Sequence, residues 1–173
     1  MRKILERNDP ILKQKAQPIA DKDFNSDWLK DLVDEMIAIM QEKGAVGIAA
    51  PQIGVSKRVI VYGTGYTKRR KVEVPIADTV LINPTLKFLS EEKEYGDEGC
   101  LNSGGLIGTV PRAIEIEYSG FDVDGMFIKK LATGLEARIL QHEVDHLDGI
   151  LFFDRVEDQE TVRPYEVPEE VKA

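Results

Sequence analysis

Three of the rarest residues in the chain could bind a metal ion. The sequence contains one cysteine, Cys100, and two histidines, His142 and His146. The histidines fall four residues apart in the segment HEVDH, and residues at this spacing lie one above the other on one face of a helix. Both imidazoles could then coordinate one metal ion, while Glu143 takes a proton from a water on that metal and later delivers it. The pattern predicts a metal-dependent hydrolase.

The third protein ligand is not determined by the residue pattern. A catalytic site of this kind needs three protein ligands and one open position. Cys100 is one option, although a free cysteine is also commonly a small buried hydrophobe. A carboxylate downstream of His146 is the other option, and it would instead indicate a zinc endopeptidase. The carboxylates that follow are Asp148, Asp154, Glu157 and Asp158.

Helical periodicity predicts two helices. The first should run over about residues 27–43, with Asn25 or Ser26 as its cap and Gly44 just past its end. Its apolar face should consist of Leu29, Leu32, Val33, Met36, Ile37 and Met40. The second, over about residues 133–147, carries the histidines.

The histidine helix has its own start signal and an apolar stripe. Thr133 and Glu136 fit a capping box, in which each side chain bonds to the backbone of the other residue. Leu135 and Ile139 lie on the same stripe as the histidines, so this face should point inward. An inward face argues against the alternative, in which two histidines fall at this spacing by chance on a charged surface.

Short strands joined by turns favour an α+β fold with mainly antiparallel sheets rather than repeated βαβ units. Strands are predicted at residues 59–62, 80–83, 113–118 and 126–131, and a hairpin turn is predicted at Asp122 to Gly125. The basic run Lys68-Arg69-Arg70-Lys71 is expected to be a solvated loop or hairpin tip, with an anionic contact as the alternative.

The bulk properties fit one enzyme-sized domain over residues 1–173, with an extended or flexible tail from about residue 156. The net charge of −8 argues against a nucleic-acid-binding surface. The longest apolar runs are too short to span a membrane, and the charged start is unlike a secretory signal. A single cysteine fits a reducing compartment, so the cytoplasm is the expected location.

Three segments together resemble the peptide deformylase family. Residues 45–52, AVGIAAPQ, are similar to the family motif Gly-x-Gly-x-Ala-Ala-x-Gln. Residues 98–101, EGCL, are similar to the start of Glu-Gly-Cys-Leu-Ser, and residues 141–147, QHEVDHL, match the third motif throughout. Supporting matches are NDPIL at 8–12, INP at 82–84 and VPR at 110–112. The resemblance implies antiparallel sheets wrapped around a central helix that carries the histidines.

The resemblance also implies a role for each matching residue. Cys100, His142 and His146 would bind the metal, and Glu143 would act as general base and then as acid. Gln52, which taken alone would be expected to be a surface amide, would hold the formyl oxygen together with the backbone N–H of Leu101. The peptide would add as a strand, and the implied substrate-binding residues are Val46, Gly47, Ile48, Gly99, Asn102 and Gly104.

The implied reaction removes the N-formyl group from N-formylmethionine of new polypeptides and releases formate. Fe(II) is the expected metal, and nickel, cobalt or zinc could occupy the same ligands. The partners would be N-formylated nascent peptides, with transient ribosome association and no role for nucleic acid or membrane. Some members use a long basic C-terminal helix at the ribosome, and the acidic residues after about 156 are not expected to form one, so docking by that route is not expected.

Three positions depart from the family pattern, all at the expected peptide-binding rim. Ala45 replaces a glycine, which is costly if φ is positive there and mild otherwise. Asn102 replaces a serine, and Ser103-Gly104 replaces an apolar residue and a proline. A deformylase-like binding protein that has lost turnover is therefore a further alternative. Behind the rim, Arg112 is expected either to pair with Glu98 or to be solvated, and Asp145 to orient a ligand or cap backbone rather than bind metal.

Overall fold

The computed structural model describes residues 1–67 and 72–166. The described residues form an α+β fold, as the sequence predicts. Two helices and eight strands follow one another as α1 (Asp27–Lys43), β1 (Gly47–Ala49), β2 (Val59–Tyr62), β3 (Thr79–Phe88), β4 (Lys93–Glu98), β5 (Leu106–Ala113), β6 (Glu115–Phe121), β7 (Phe127–Thr133), α2 (Gly134–Leu147) and β8 (Arg163–Pro164).

Helix α1 has the predicted ends. It begins after Ser26 and stops at Gly44, whose φ of 59° is the left-handed conformation that glycine adopts readily. Ser26 does not cap the helix with its side chain; its hydroxyl donates to the Asp23 carbonyl instead. The buried face matches the predicted one except that Ile39 is buried and Ile37 only partly so. This face packs on β1 and β2 and forms one half of the core.

The strands form two antiparallel sheets. The larger has the order β1-β2-β3-β6-β7, and the smaller has the order β4-β5-β8. Strand β3 extends well past the predicted residues 80–83, while β6 and β7 begin later than predicted. Strand β4 was not predicted because its sequence KEYGDE is mostly exposed and shows no apolar alternation.

The hairpin turn between β6 and β7 is confirmed. The Asp122 carboxylate accepts hydrogen bonds from the backbone N–H groups of Asp124 and Met126. Gly125 has a φ of 81°, which closes the turn without a steric cost. The local turn chemistry therefore sets the register that pairs Phe121 with Phe127.

Helix α2 is central, because it contacts strands of both sheets. It begins after Thr133 as predicted, but the predicted capping box is wrong: the Thr133 side chain makes no capping bond. The Glu136 carboxylate instead lies 3.1 Å and 3.4 Å from the hydroxyls of Tyr62 and Tyr118 on the larger sheet. Buried hydroxyls need hydrogen-bond partners, and the Glu136 carboxylate serves those of Tyr62 and Tyr118 instead of the backbone at the start of the helix.

The chain after α2 returns to the smaller sheet. Val156 is buried against Cys100, Val110 and Phe152, and Arg163–Pro164 pair with β5. Residues 156–164 of the expected tail are therefore held against the fold and are extended at β8. The end of that tail, 167–173, and the basic run at 68–71 lie outside the described residues. In the described part of the chain, no helix combines the length and apolarity required to cross a bilayer.

Candidate metal centre and active site

Cys100, His142 and His146 meet in one buried cluster. One potential ligand atom from each residue lies within 4.8 Å of the other two. The Nε2 atoms of the two histidines are 3.2 Å apart and face each other. Two nitrogens bound to one tetrahedral ion at normal bond lengths would lie about 3.3 Å apart, so the observed spacing fits a shared metal.

The hydrogen bonds and the burial of the two rings bear on metal binding. Glu98 Oε2 lies 2.9 Å from His142 Nδ1, and a carboxylate can only accept, so Nδ1 carries a proton and Nε2 is the nitrogen that can bind a metal. Burial lowers the pKa of His142, but the bond and the charge of Glu98 raise it above its ordinary value, so a metal at Nε2 competes with a proton. Burial lowers the pKa of His146 well below its ordinary value, which keeps that ring neutral. Both rings can therefore offer a nitrogen lone pair to the same ion.

Cys100 reaches the cluster from the turn that connects β4 to β5. Burial raises the pKa of its thiol to about 12, although the backbone N–H groups of Asn102 and Ser103 act in the opposite direction. A metal binds the thiolate and releases this proton, and those two N–H groups can stabilise the negative sulfur. One thiolate and two imidazoles suit several divalent transition metals.

Glu98 links the histidine helix to the smaller sheet through buried ions. Arg112 donates to both of its carboxylate oxygens, at 2.9 Å and 2.8 Å, and Arg138 donates to Oε1 at 2.9 Å. Burial alone would raise the pKa of Glu98, but the bonds from Arg112 and His142 hold it well below its usual range. The predicted pair of Arg112 and Glu98 is confirmed, and the alternative of a solvated arginine is wrong.

Asp145 belongs to the same network. It accepts from Arg112 Nη1 at 2.6 Å and from Arg155 Nη2 at 2.7 Å. Asp145 therefore contacts Arg112, which bonds to Glu98, which in turn bonds to His142. It is not one of the three residues grouped as potential metal ligands.

Glu143 lies beside the cluster and is 4% exposed. Its Oε2 atom is buried and has no hydrogen-bond partner among the described residues. Burial raises the pKa of this carboxyl to about 7, partly opposed by His142. Gly47 leaves the room it needs, because a Cβ there would collide with the carboxylate and lie 2.8 Å from its Cδ. The carboxyl is thus available to accept or donate a proton near neutral pH.

Gln52 is 1% exposed, so the expectation of a surface amide is wrong. It lies in the short 3-10 helix Ala50–Ile53, which follows β1. Its Oε1 accepts from the Ala49 N–H at 2.8 Å, and its Nε2 donates to Asn102 Oδ1 at 2.8 Å. The Nε2 group carries two hydrogens, and this bond to Asn102 uses one of them as a donor.

The expected peptide-binding residues fall on two sides of the cluster. Val46, Gly47 and Ile48 lie at or within β1, which is an edge strand with β2 on one side. Gly99 directly precedes Cys100. A Cβ at position 99 would lie 2.9 Å from the Leu106 carbonyl oxygen, so only glycine fits there without a shift. The turn that follows contains Leu101, Asn102 and Gly104.

The three departures from the family pattern have different structural consequences. Ala45 is not among the residues of positive φ, so the replacement of glycine is mild there. Gly104 has a φ of 68°, which a proline could not adopt. The Asn102 side chain is buried and turned toward Gln52 and Leu5.

The carboxylates after His146 have other partners. Asp148 pairs with Arg58, Asp154 with Lys13, and Glu157 accepts from the Tyr95 hydroxyl. Asp158 accepts from the Glu160 N–H. Cys100 is the residue that joins the two histidines, and the hypothesis of a carboxylate third ligand is not favoured.

The sequence of residues 1–162 matches the polypeptide deformylase family. The chain belongs to this family. It is 41% identical over 158 residues to peptide deformylase 2 of Ralstonia nicotianae, covering 91% of this chain and 88% of the relative. It is 40% identical over 158 residues to peptide deformylase of Natranaerobius thermophilus, covering 91% of this chain and 94% of the relative.

Solved deformylase structures have the same fold. The class I type b peptide deformylase of Acinetobacter baumannii, crystallised with Met-Ala-Ser, has a TM-score of 0.83 and 37% identity, covering 90% of this chain and 98% of that one. The plant peptide deformylase PDF1B has a TM-score of 0.81 and 35% identity, covering 91% of this chain and 82% of that one.

Membership in the deformylase family decides between the functional hypotheses. The chain is a hydrolase of the peptide deformylase type, which removes the N-formyl group from newly made polypeptides. The family is metal-dependent, and the cluster of Cys100, His142 and His146 is the candidate metal-binding group. This reading is favoured over a zinc endopeptidase and over a binding protein without turnover.

Two supporting residues were missed in the sequence. Arg138 lies four residues before His142, so helical spacing placed it on the ligand stripe, but a single arginine there has no specific signature. The Leu5 carbonyl accepts from Asn102 Nδ2 at 2.5 Å, and a backbone acceptor has no sequence signal at all.

Proposed function

We propose that the Cys100, His142 and His146 cluster is the active site for removal of the N-formyl group, with Glu143 as the proton-transferring residue. The observation that carries this proposal is the buried Glu143 carboxylate beside the three ligands, with one oxygen that has no partner among the described residues. A purely structural metal site would not need an unpartnered carboxylate next to it, because burying such a group destabilises the fold.

Glu143 would transfer a proton twice in one turnover. It would accept a proton from the attacking water as the oxygen bonds to the formyl carbon. It would then donate that proton to the amide nitrogen as the C–N bond breaks, giving formate and a free amino terminus. A carboxyl with a pKa of about 7 suits both steps, because it is neither a very strong acid nor a very weak one.

The metal would supply Lewis acidity and lower the pKa of a water molecule bound to it. Cys100, His142 and His146 would hold the ion, and Glu98 would keep His142 in the required tautomer. We propose Fe(II) as the metal in the cell, with nickel, cobalt or zinc able to occupy the same ligands.

The formyl oxygen gains negative charge when water attacks, and it needs hydrogen-bond donors. The second N–H of Gln52 Nε2 and the backbone N–H of Leu101 would supply them. Donors of this kind act strongly in a buried site, because water does not compete with them.

The substrate would bind along the free edge of β1 as an added strand. Gly47 and Ile48 would pair with it there, next to Val46, and the turn with Gly99, Asn102 and Gly104 would lie on the other side. The Met-Ala-Ser peptide in the Acinetobacter relative suggests formyl-Met-Ala-Ser as the test substrate. The natural partners would be N-formylated nascent chains in the cytoplasm, met during transient association with the ribosome.

The test replaces Glu143 with glutamine, which keeps its size and removes its acid–base function. Formate release from formyl-Met-Ala-Ser should fall by a factor on the order of 10² to 10⁴ in Glu143→Gln. Bound metal, measured by elemental analysis after anaerobic loading with Fe(II), should stay at the wild-type level. Glu157→Gln is the matched control, because Glu157 lies near the surface and bonds to Tyr95.

Two outcomes would contradict the proposal. Full activity in Glu143→Gln would show that another group transfers the proton. A wild-type protein with a full complement of metal and no formate release would show that the altered rim at residues 102–104 has changed the substrate or abolished turnover.

A further inference from the structure

Asn102 connects two parts of the chain that are far apart in sequence. Its side chain, 2% exposed, bonds at both ends. Oδ1 accepts from Gln52 Nε2 at 2.8 Å, and Nδ2 donates to the Leu5 carbonyl at 2.5 Å. The Leu5 N–H in turn donates to the Gln52 carbonyl at 2.9 Å. The three residues therefore form a closed ring of hydrogen bonds.

The ring fixes the orientation of both carboxamides. The Leu5 carbonyl can only accept, so Asn102 must present its NH₂ group to Leu5 and its oxygen to Gln52. The Ala49 N–H can only donate, so Gln52 must present its oxygen to Ala49 and its NH₂ group to Asn102. The Leu5 carbonyl and the Ala49 N–H thus independently require the same donor and acceptor assignment for the bond between Gln52 and Asn102. The second N–H of Gln52 Nε2 then points away from Asn102.

We propose that Asn102 is a positioning residue that holds the Gln52 carboxamide, with the Leu5 carbonyl as its anchor. This inference rests on the proposed role of Gln52 as a donor to the formyl oxygen. Without Asn102, the Gln52 amide would retain the Ala49 bond alone and could rotate about it.

The serine of the family pattern could not make the same connection. A hydroxyl oxygen is one bond from Cβ, whereas the carboxamide nitrogen and oxygen of Asn102 are each two bonds away and point in different directions. Bridging Gln52 and Leu5 with a serine would require the backbone of the turn to move. In this chain the N-terminal segment is therefore part of the support for the site.

A double-mutant cycle tests the inference. The kcat and KM for formyl-Met-Ala-Ser are measured for wild type, Gln52→Ala, Asn102→Ala and the double variant, all loaded with Ni²⁺. Gln52→Ala should lower kcat by about 100-fold, as expected for the loss of one oxyanion donor. Asn102→Ala should lower kcat on the order of 10-fold with KM within about 2-fold, because a misplaced donor is weakened rather than lost.

The double variant decides the result. If Asn102 acts through Gln52, the double variant should have the kcat of Gln52→Ala alone. If the two losses multiply, to about 1,000-fold, Asn102 acts independently and the inference is overturned. If Gln52→Ala keeps the wild-type kcat, the proposed role of Gln52 fails, and the inference fails with it.

Asn83 provides a matched control for a purely structural effect. Its side chain also ties the N-terminal segment to the sheet, since it bonds to both the N–H and the carbonyl of Ile19. Asn83→Gly removes those bonds without backbone strain, because glycine readily adopts the φ of 52° found at this position. It should lower the melting temperature and leave kcat unchanged. A kcat loss equal to that of Asn102→Ala would mean that any loosening of this segment suffices, which would overturn the inference.

A second variant covers the case in which Asn102→Ala does not fold. Asn102→Ser introduces the residue of the family pattern and should fold. It should give a kcat between those of wild type and Gln52→Ala, since the hydroxyl can accept from Gln52 but cannot also reach Leu5. A wild-type kcat in Asn102→Ser would contradict the requirement for the Leu5 anchor.

Discussion

The candidate metal-binding group of Cys100, His142 and His146 has buried polar groups on two sides, ionic on one and neutral on the other. On the His142 side the supporting groups are ions, because Glu98 bonds to Arg112 and Arg138. On the Gln52 side the supporting groups are neutral, because Asn102 and the backbone of Leu5 bond to it. Each side bonds to one candidate site residue, His142 or Gln52. The two sides differ in what the loss of one supporting residue would leave behind.

The ionic side tolerates little change. Buried charges lose their hydration, and they are stable only while each keeps its partners. Removing one carboxylate would leave guanidinium groups buried without full compensation. The neutral side is different, since the loss of an amide leaves neutral N–H or C=O groups without a partner, and not a buried charge.

The positions at which the chain departs from the family pattern lie on the neutral side and not on the ionic side. The departures at Ala45, Asn102 and Ser103-Gly104 fall on the substrate and Gln52 side. Glu98 and Arg112 on the ionic side match the family segments. Neutral support can be rebuilt with another polar residue, whereas ionic support must change several members together.

The largest expected effect is loss of the charge at the centre of the ionic side. Glu98→Leu should lower the free energy of unfolding by about 3–5 kcal/mol, because Arg112 and Arg138 would remain buried near the lost partner. The measurement is equilibrium unfolding in urea of the metal-free protein. Glu117→Gln is the control, since Glu117 pairs with the exposed Lys129 and should change stability by less than about 1 kcal/mol. Equal effects in the two variants would show that burial of the ions is unimportant.

Metal removal should distinguish the two sides by a smaller effect. At a free Ni²⁺ concentration 100 times the Kd, the metal should add about 2.7 kcal/mol to the free energy of unfolding of the wild type. Glu98→Gln should weaken binding by about 10- to 100-fold, since Glu98 orients His142, and the gain should fall to about 0.4–1.4 kcal/mol.

The matched variant for metal removal lies on the neutral side. Gln52→Leu should keep the full stabilisation by Ni²⁺, because the affected bonds involve Ala49 and Asn102 rather than a histidine ring. Asn83→Gly, which removes bonds to Ile19 outside both sides, should keep it as well. Equal loss of the Ni²⁺ effect in Gln52→Leu and Glu98→Gln would remove the distinction between the sides. The readout is the difference in melting temperature with and without a chelator.

Local signals in the sequence predicted the elements that carry the site. Helical spacing and a terminal glycine were sufficient to predict α1. The spacing of His142 and His146 was sufficient to predict that their rings lie together, because both predictions depend on helix geometry. The turn at Asp122 was predictable because its carboxylate bonds to nearby backbone.

Long-range competition explains what the sequence did not predict. Glu136 had the right spacing for a capping box, but Tyr62 and Tyr118 come from strands distant in sequence and take its carboxylate. The position of Gln52 depends on Asn102 and Leu5 in the same way. A pattern that requires three separate segments to meet cannot be read from any one of them.

The last predicted effect concerns the neutral side, and it should be smaller than that of Glu98→Leu. Gln52→Leu should lower the free energy of unfolding by about 2 kcal/mol, because the Ala49 N–H and Asn102 Oδ1 each lose a buried neutral partner. The measurement is the urea midpoint at an unchanged m-value, beside Glu98→Leu under the same conditions. A cost as large as that of Glu98→Leu would contradict the comparison. A cost near ~2 kcal/mol with an unfolding slope like the wild type would mean that the loss of neutral partners destabilises the fold less than the loss of ionic ones.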